Sequence, residues 1–340
     1  MAVSLAQFAI SVLIGIASFP ISFLLTRFFM SWNYSHGITG LDMHKLSKPK
    51  IPEMCGVAVT ITLTIFAFLY LLVQPSELLR IVAFVSVVGL AGLVGAVDDK
   101  LKMKGIYKPA LTLLCGLPVL ILGLAYPDQV YNSNLRVPLF GSFHLPIIYP
   151  LTILVAISVS SNTVNMLDPL NGSMAGGIAI ASLGLLIGLI LVNGDPVIIF
   201  LYTCLAFSLL GFYYFNKFPA RAFAGNVGQL SIGAAVGALA ILGRTEIASI
   251  VAIFPNIQNS FFFLSKIRRF TEHRKLTVRP TRLLPDGRLA SSEEEQAPLT
   301  LVRTILVGRP ATEPDVVHTI FALFVITSIL SIVTILLTGG

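Results

Sequence analysis

Asp98 and Asp99 stand side by side where an apolar run from Leu78 to Val97 meets a lysine-rich one carrying Lys100, Lys102, Lys104 and Lys108. A carboxylate at a membrane helix centre costs roughly 2.5–3.5 kcal/mol, less toward the interface, and two adjacent ones repel. A divalent cation relieves both penalties, so the pair reads as a metal site at a membrane boundary. Other residues suit the same chemistry. Asn162, Asn165, Asp168 and Asn171 recur at every third position, and a helical or 3₁₀ continuation would gather them on one side. Such a strip is costly in a membrane unless it faces a cavity. Asn226 opens an apolar run, where it reads as a helix N-cap or as an oxygen ligand for a hard cation, beside helix N–H groups that suit a phosphate. The loop with His44, Lys45 and Glu53 offers interfacial anchors or binding groups. The loop from Lys266 to Pro314, with His273, Arg279 and Arg282 among its basic residues, suits either anionic lipid headgroups or a phosphorylated substrate.

Composition says what must hold these groups. Of 340 residues 55% are hydrophobic and only 11% charged, against roughly 25% charged in soluble domains. This is a multi-spanning membrane protein with no polar block large enough for a second core, so one domain over residues 1–340 is expected. Ten stretches are long enough to cross the bilayer, at roughly 17 to 25 residues each: Leu5 to Met30, Gly56 to Val73, Leu78 to Val97, Tyr107 to Tyr126, Leu145 to Val164, Ser173 to Val192, Val197 to Phe215, Val227 to Leu242, Ile247 to Leu264 and Val316 to Leu337. The first is too long for a typical cleaved signal and is read as a retained helix. The expected class is an all-α polytopic membrane protein of about ten transmembrane helices. A cytoplasmic loop at 266–315, between helices nine and ten, carries a small hairpin turning at Pro285-Asp286-Gly287, and a second hairpin-like stretch runs from Asn132 to Gly141. Pro20, Pro118 and Pro255 should kink their helices.

Basic residues set the orientation. Twenty of the 23 Lys and Arg fall at one end of the expected helices, leaving Arg80, Arg136 and Arg244 at the other. The positive-inside rule then puts the polar loops and the site on the cytoplasmic face of the cell membrane, with both termini outside. The net charge of +7 belongs to that face and gives no reason to expect nucleic acid. The three cysteines, Cys55, Cys115 and Cys204, have no metal-ligand spacing and read as buried small hydrophobes.

In order along the chain come His44-Lys45 running into Ile51-Pro52-Glu53, then Val97-Asp98-Asp99 with Lys108, the Asn162 to Gly172 repeat, and Asn216-x-x-Pro219-x-Arg221-x-Phe223-x-Gly225-Asn226. Together these segments resemble the polyprenyl-phosphate N-acetylhexosamine-1-phosphate transferases, over nearly the whole chain. Ile51-Pro52-Glu53 and the Arg279 to Arg282 stretch look closer to archaeal and eukaryotic dolichyl-phosphate GlcNAc-1-phosphotransferases than to the bacterial phospho-N-acetylmuramoyl-pentapeptide transferase, whose histidine-rich motif is absent.

The resemblance implies transfer of a sugar 1-phosphate, GlcNAc-1-phosphate by preference, from a UDP-sugar to a polyprenyl or dolichyl phosphate. UMP is released, and Mg²⁺ is required, with Mn²⁺ as an alternative. It implies catalytic roles for Asp98, Asp99, Lys108 and Asp168. Lys45, Glu53, Asn162, Asn165, Asn171, Gly172, Phe223, His273, Arg279 and Arg282 become substrate-binding, with Phe223 stacking on uracil. Asn226, Asp98, Asp99 and Asn165 become metal ligands. A homodimer in the lipid bilayer is a further expectation. Most such proteins have Asp at the position of Asn226, so metal affinity should fall here unless Asp168 or the aspartate pair compensates. A member that has lost catalysis through Asn226 is therefore the main alternative, and a secondary transporter the other, although the polar groups crowd one face without an internal repeat.

Overall fold

In a computed structural model describing residues 5–103, 106–127, 129–267 and 278–339, the apolar runs are helical. Helices α1 (Leu5–Ile16) and α2 (Ser18–Ser35) lead to a short antiparallel pair, β1 (Thr39–Leu41) and β2 (Lys50–Pro52), and then to α3 (Val57–Tyr70), α4 (Leu78–Leu101), α5 (Tyr107–Leu114) and α6 (Leu117–Ala125). A hairpin of β3 (Asn134–Val137) and β4 (Gly141–His144) precedes α7 (Tyr149–Met166), α8 (Ser173–Leu191), α9 (Pro196–Asn216), α10 (Gly225–Leu242), α11 (Glu246–Ala252) and α12 (Phe254–Ile267). The last hairpin, β5 (Thr281–Leu283) and β6 (Leu289–Ser291), is followed by α13 (Leu301–Ile305) and α14 (Glu313–Thr338). Both hairpins expected from the sequence are present, the first shifted a few residues toward His144.

Among the described residues, seven helical stretches are long and apolar enough to cross a membrane, eight if α11 and α12, bent by 70°, form one span. The expected ten are therefore not all full spans. Helix α3 has 14 residues, about 21 Å against a hydrocarbon core of roughly 30 Å. The second half of α7 is polar, with Ser158, Ser160, Ser161, Asn162, Thr163 and Asn165. The three stretches expected to kink at proline are each broken just before it, at Ala17, at Cys115–Gly116 and, with the 70° bend, at Ile253. Pro20, Pro118 and Pro255 lie in the first turns of α2, α6 and α12, where a missing N–H is no loss.

Helix α10 is the centre of the bundle, and every one of its residues except Gln229 is buried. Its small residues let neighbours approach closely, which is how helices pack without a hydrophobic driving force. A Cβ on Gly95 of α4 would lie 2.3 Å from the Asn226 carbonyl oxygen of α10. That contact brings the end of α4 against the start of α10, and the chemistry-bearing residues with them.

Candidate active site

Helix α4 runs one turn beyond its apolar stretch, so Asp98 and Asp99 occupy its last turn, and their environments differ. Asp98 is buried; its Oδ1 accepts the Met103 N–H at 3.0 Å and its Oδ2 lies 2.7 Å from Lys108 Nζ. Asp99 faces the start of α10. Its Oδ1 accepts from the Asn226 backbone N–H at 3.0 Å and from Asn226 Nδ2 at 2.8 Å, and its Oδ2 accepts from the Val227 N–H at 3.1 Å. Asp99 thus satisfies from another helix two of the donors that a helix start leaves open. This corrects two sequence readings. Asn226 is not the N-cap but the second residue of α10, and two of the N–H groups that would suit a phosphate, those of Asn226 and Val227, are taken by Asp99. Gly225, at φ +67°, makes room for this: a Cβ there would meet Asp99 Oδ2 at 2.9 Å and Met54 Cα at 2.8 Å.

Lys108 sits in the first turn of α5. Besides Asp98 it reaches Asn226 Oδ1 at 3.1 Å and Asn165 Oδ1 at 3.4 Å. Its helix is braced to α7 by Thr112 and Ser158 hydroxyls 2.8 Å apart and by Asn162, whose Nδ2 donates to Thr112 Oγ1 at 2.7 Å. Asn162 therefore positions the helix that carries Lys108.

The three-residue repeat does not share one face, because α7 ends at Met166. Asn165 Nδ2 donates to Asn226 Oδ1 at 2.6 Å and to Gln229 Oε1. Gln229 Nε2 in turn donates to Asp168 Oδ2 at 2.5 Å. Asn171 turns elsewhere: its Nδ2 donates to Asp42 Oδ2 at 2.9 Å and its backbone N–H to Glu313 Oε1 at 2.7 Å. Burial pushes the Asp168 carboxyl up to about 7, with hydrogen bonds from Gln229 and the Met174 backbone pulling the other way. Gln229 was missed in the sequence. Its signal was there, a lone amide three residues after Asn226 in an apolar helix, and so on the same side.

A cleft of about 270 Å³ opens onto this network, lined by Glu53, Asp168, Asn171, Phe223, Asn226 and Gln229 among others. Backbone pairing fixes Phe223 there, its N–H donating to the Pro52 carbonyl at 2.8 Å and its carbonyl accepting from the Cys55 N–H at 2.9 Å. Gly172, at φ +85°, immediately precedes α8. A larger cleft of about 880 Å³ shares Met43 and His44 with the first and is lined by Lys48, Arg279 and Arg282. Arg282 is paired with Glu293. Burial, with help from Lys45 and Arg279, holds His44 below the usual imidazole range, against the pull of Asp42. Lys45 pairs with Glu313 and lies 3.4 Å from Asp42 and 4.3 Å over the Phe218 ring, an ion cluster behind the cleft. His273 falls outside the described residues.

Among the described residues, no group of three or more His, Cys, Asp or Glu side chains is placed to hold a metal alone. The oxygens that do converge, Asp98 Oδ2, Asn165 Oδ1 and Asn226 Oδ1, are hard donors within 3.4 Å of the Lys108 ammonium. These three hold the ammonium, and the hard oxygens that face the cleft, on Asp168 and Asn226, are of the kind Mg²⁺ takes, with one or two carboxylates and a shell completed by substrate phosphates and water.

The model of glycosyl transferase family 4 matches residues 79–244, from α4 through α10. A Methanocaldococcus jannaschii protein provisionally named as a glycosyltransferase is 33% identical over 327 residues, covering 95% of each chain. The chain belongs to glycosyl transferase family 4. Its members here are the polyprenyl-phosphate N-acetylhexosamine-1-phosphate transferases. A Saccharolobus solfataricus relative, 29% identical over 74% of this chain and 76% of its own, is provisionally named as a UDP-N-acetylglucosamine–dolichyl-phosphate N-acetylglucosaminephosphotransferase. The phospho-N-acetylmuramoyl-pentapeptide-transferase of Streptococcus mutans is 29% identical over 79% of this chain and 86% of its own. The family 4 chain is accordingly a multi-pass membrane transferase of sugar 1-phosphate onto a polyprenyl phosphate, with a nucleotide sugar as donor. The matched region contains Asp98, Asp99, Lys108, Asn165, Asp168, Phe223 and Asn226 and excludes the arginine loop.

Proposed function

We propose that this transferase moves GlcNAc 1-phosphate from UDP-GlcNAc to a dolichyl-type polyprenyl phosphate at the cytoplasmic face of the cell membrane, releasing UMP. One observation carries the reading: the Lys108 ammonium, shared by Asp98, Asn165 and Asn226, sits at the edge of a cleft lined by Phe223, Asn171 and Glu53. The cleft receives the uridine, with Phe223 stacking on uracil, and the diphosphate extends toward Lys108. Arg279 and Arg282 lie on the side of the larger cleft and contact the sugar and its phosphate. The Saccharolobus relative's name supports GlcNAc and dolichyl phosphate as the substrate pair.

An oxygen of the acceptor phosphate attacks the phosphorus that bears the sugar. A new P–O–P linkage forms, the old one breaks, and UMP leaves with the electron pair. No general base is needed, since a phosphate monoester with its second pKa near 6 is already ionised at neutral pH. The difficulty is bringing two anions together, which positive charge held in line with the reacting oxygens offsets. Lys108 supplies part of it, aimed by Asp98 and the two amide oxygens. Asp168 and Asn226, on the cleft wall, would hold a Mg²⁺ that supplies the rest as charge neutralisation on the diphosphate. Asp99 acts by fixing Asn226 and the start of α10.

Asn226 lines the cleft as a neutral amide where a carboxylate would add a charged oxygen for a cation, and this favours a second reading in which catalysis is impaired. Purified protein with UDP-GlcNAc, a polyprenyl phosphate and Mg²⁺ should release UMP. No release from several UDP-HexNAc donors, together with recovery in Asn226→Asp, would overturn the active-enzyme reading.

A further inference from the structure

The β3–β4 and β5–β6 hairpins have the same topology and opposite surfaces. In β5–β6 the turn is Pro285-Asp286-Gly287-Arg288, the strand residues Leu289 and Ala290 are buried, and only polar groups and the proline project at the tip. In β3–β4 the tip is Leu139-Phe140, 82% and 76% exposed, with Phe143 half exposed on β4 and Ile147 90% exposed just beyond it. This hairpin joins the end of α6 to the start of α7, at the end of the bundle away from Lys108 and Asn165, which lie at the opposite ends of α5 and α7. From Val137 to Leu167 the chain contains no Asp, Glu, Lys or Arg.

A loop of this kind in water would leave a contiguous set of large apolar side chains unpartnered, which marks an interaction surface. The bilayer is the partner that adjoins it. Ile147 and Ile148 lead directly into α7, whose Leu151, Val155 and Val159 are exposed apolar residues along the helix, and α6 exposes Ile121 and Leu124 on the other flank. The apolar surface of the hairpin is therefore continuous with the lipid-facing surface of the helices it connects. Aromatic and aliphatic side chains at such a position gain by entering the headgroup boundary.

We propose that the β3–β4 hairpin is a membrane anchor whose Leu139-Phe140 tip, with Phe143 and Ile147, inserts into the lipid surface at the end of the bundle opposite the site. Arg136, one pair before the turn on β3, stays with the protein beside Arg244 and Glu246, where the Arg136 side chain shares a small pocket with Arg244, Thr245 and the end of α14. The anchor would fix the tilt of the span formed by α5 and α6 and that of α7, and so the placing of Lys108 on α5 and Asn165 on α7.

The three native cysteines are buried, so a surface cysteine can be labelled selectively. Full-length protein with Phe140→Cys, nitroxide-labelled and reconstituted into phosphatidylcholine–phosphatidylglycerol vesicles, should show the label more accessible to oxygen than to a water-soluble nickel chelate. Arg288→Cys, at the polar hairpin, should show the reverse. As an independent reading, Phe140→Trp in a Trp32→Phe background, which removes the single native tryptophan, should be quenched by brominated phosphatidylcholine and little by iodide. Chelate access at 140 equal to that at 288 overturns the proposal. So does a label shielded from both reagents, which would mean that the tip is covered by protein, a second copy included.

Discussion

Lys108 should be held in place mainly by the charge of Asp98, and a double-mutant cycle measures this. Two unit charges 2.7 Å apart attract by roughly 6 kcal/mol at an effective dielectric near 20. Desolvation removes much of that, and breaking one side of a buried pair typically costs about 3–5 kcal/mol. Lys108 is 18% exposed and keeps amide oxygens at 3.1 and 3.4 Å, so the lower end applies, about 3 kcal/mol for Asp98→Asn. That substitution leaves an acceptor for the Met103 N–H and changes little but the charge. Lys108→Met should cost a similar amount, because it strands the carboxylate. The double variant should be more stable than the sum of the two, with a coupling of about 2 kcal/mol, read from reversible unfolding of all four proteins in mixed detergent micelles. Turnover, measured as UMP release, should stay low in the double variant despite its recovered stability. A coupling below about 0.5 kcal/mol would refute the pairing, and recovered turnover would refute the role of Lys108 charge in the reaction.

Three further outcomes follow from the same geometry. The Asp168 carboxyl titrates at about 7 in the fold, above its ordinary 3.8, so the folded state holds the extra proton and stability should fall as pH rises from about 4 through 7; Asp168→Asn should flatten that slope in thermal unfolding scans, and an unchanged slope would assign it elsewhere. Gly225→Ala should lower both stability and turnover by crowding Asp99 and Met54, whereas Gly287→Ala, at a similar φ of +82° but with nothing within 4 Å, should show only the backbone cost of about 1–2 kcal/mol; equal losses would remove the packing argument. Glu313→Ala should leave Lys45 with Asp42 alone and the Asn171 N–H unpaired, destabilising by about 3 kcal/mol and raising KM for the nucleotide sugar through Asn171, and an unchanged KM would detach that ion cluster from the cleft.

Much of the site was legible in the sequence because its residues are polar where polarity is costly. Asp98, Asp99, Lys108, Asn165, Asp168 and Asn226 do meet at one end of the bundle. Their relations were not legible. The three-residue repeat implied one face, yet the helix stops at Met166 and its members point to Thr112, Gln229 and Asp42. The aspartate pair looked like a single unit, and close packing of α4 on α10 split it into a lysine partner and a helix cap. Lys45 stood in a segment that resembles a binding loop, and its ion partner Glu313 lies 268 residues away.

The sequence by itself determined that this is a membrane protein, roughly where its helices lie and which chemistry collects at one end, because hydrocarbon transfer is additive along a chain and unpaired charges stand out against it. Only the tertiary structure decided which charge neutralises which, that the Asn226 and Val227 N–H groups of α10 serve Asp99, and that Gln229 ties Asn165 to Asp168. Those outcomes depend on how closely two backbones approach, as at Gly95 and Gly225, and such distances between segments far apart in sequence leave no local pattern to read.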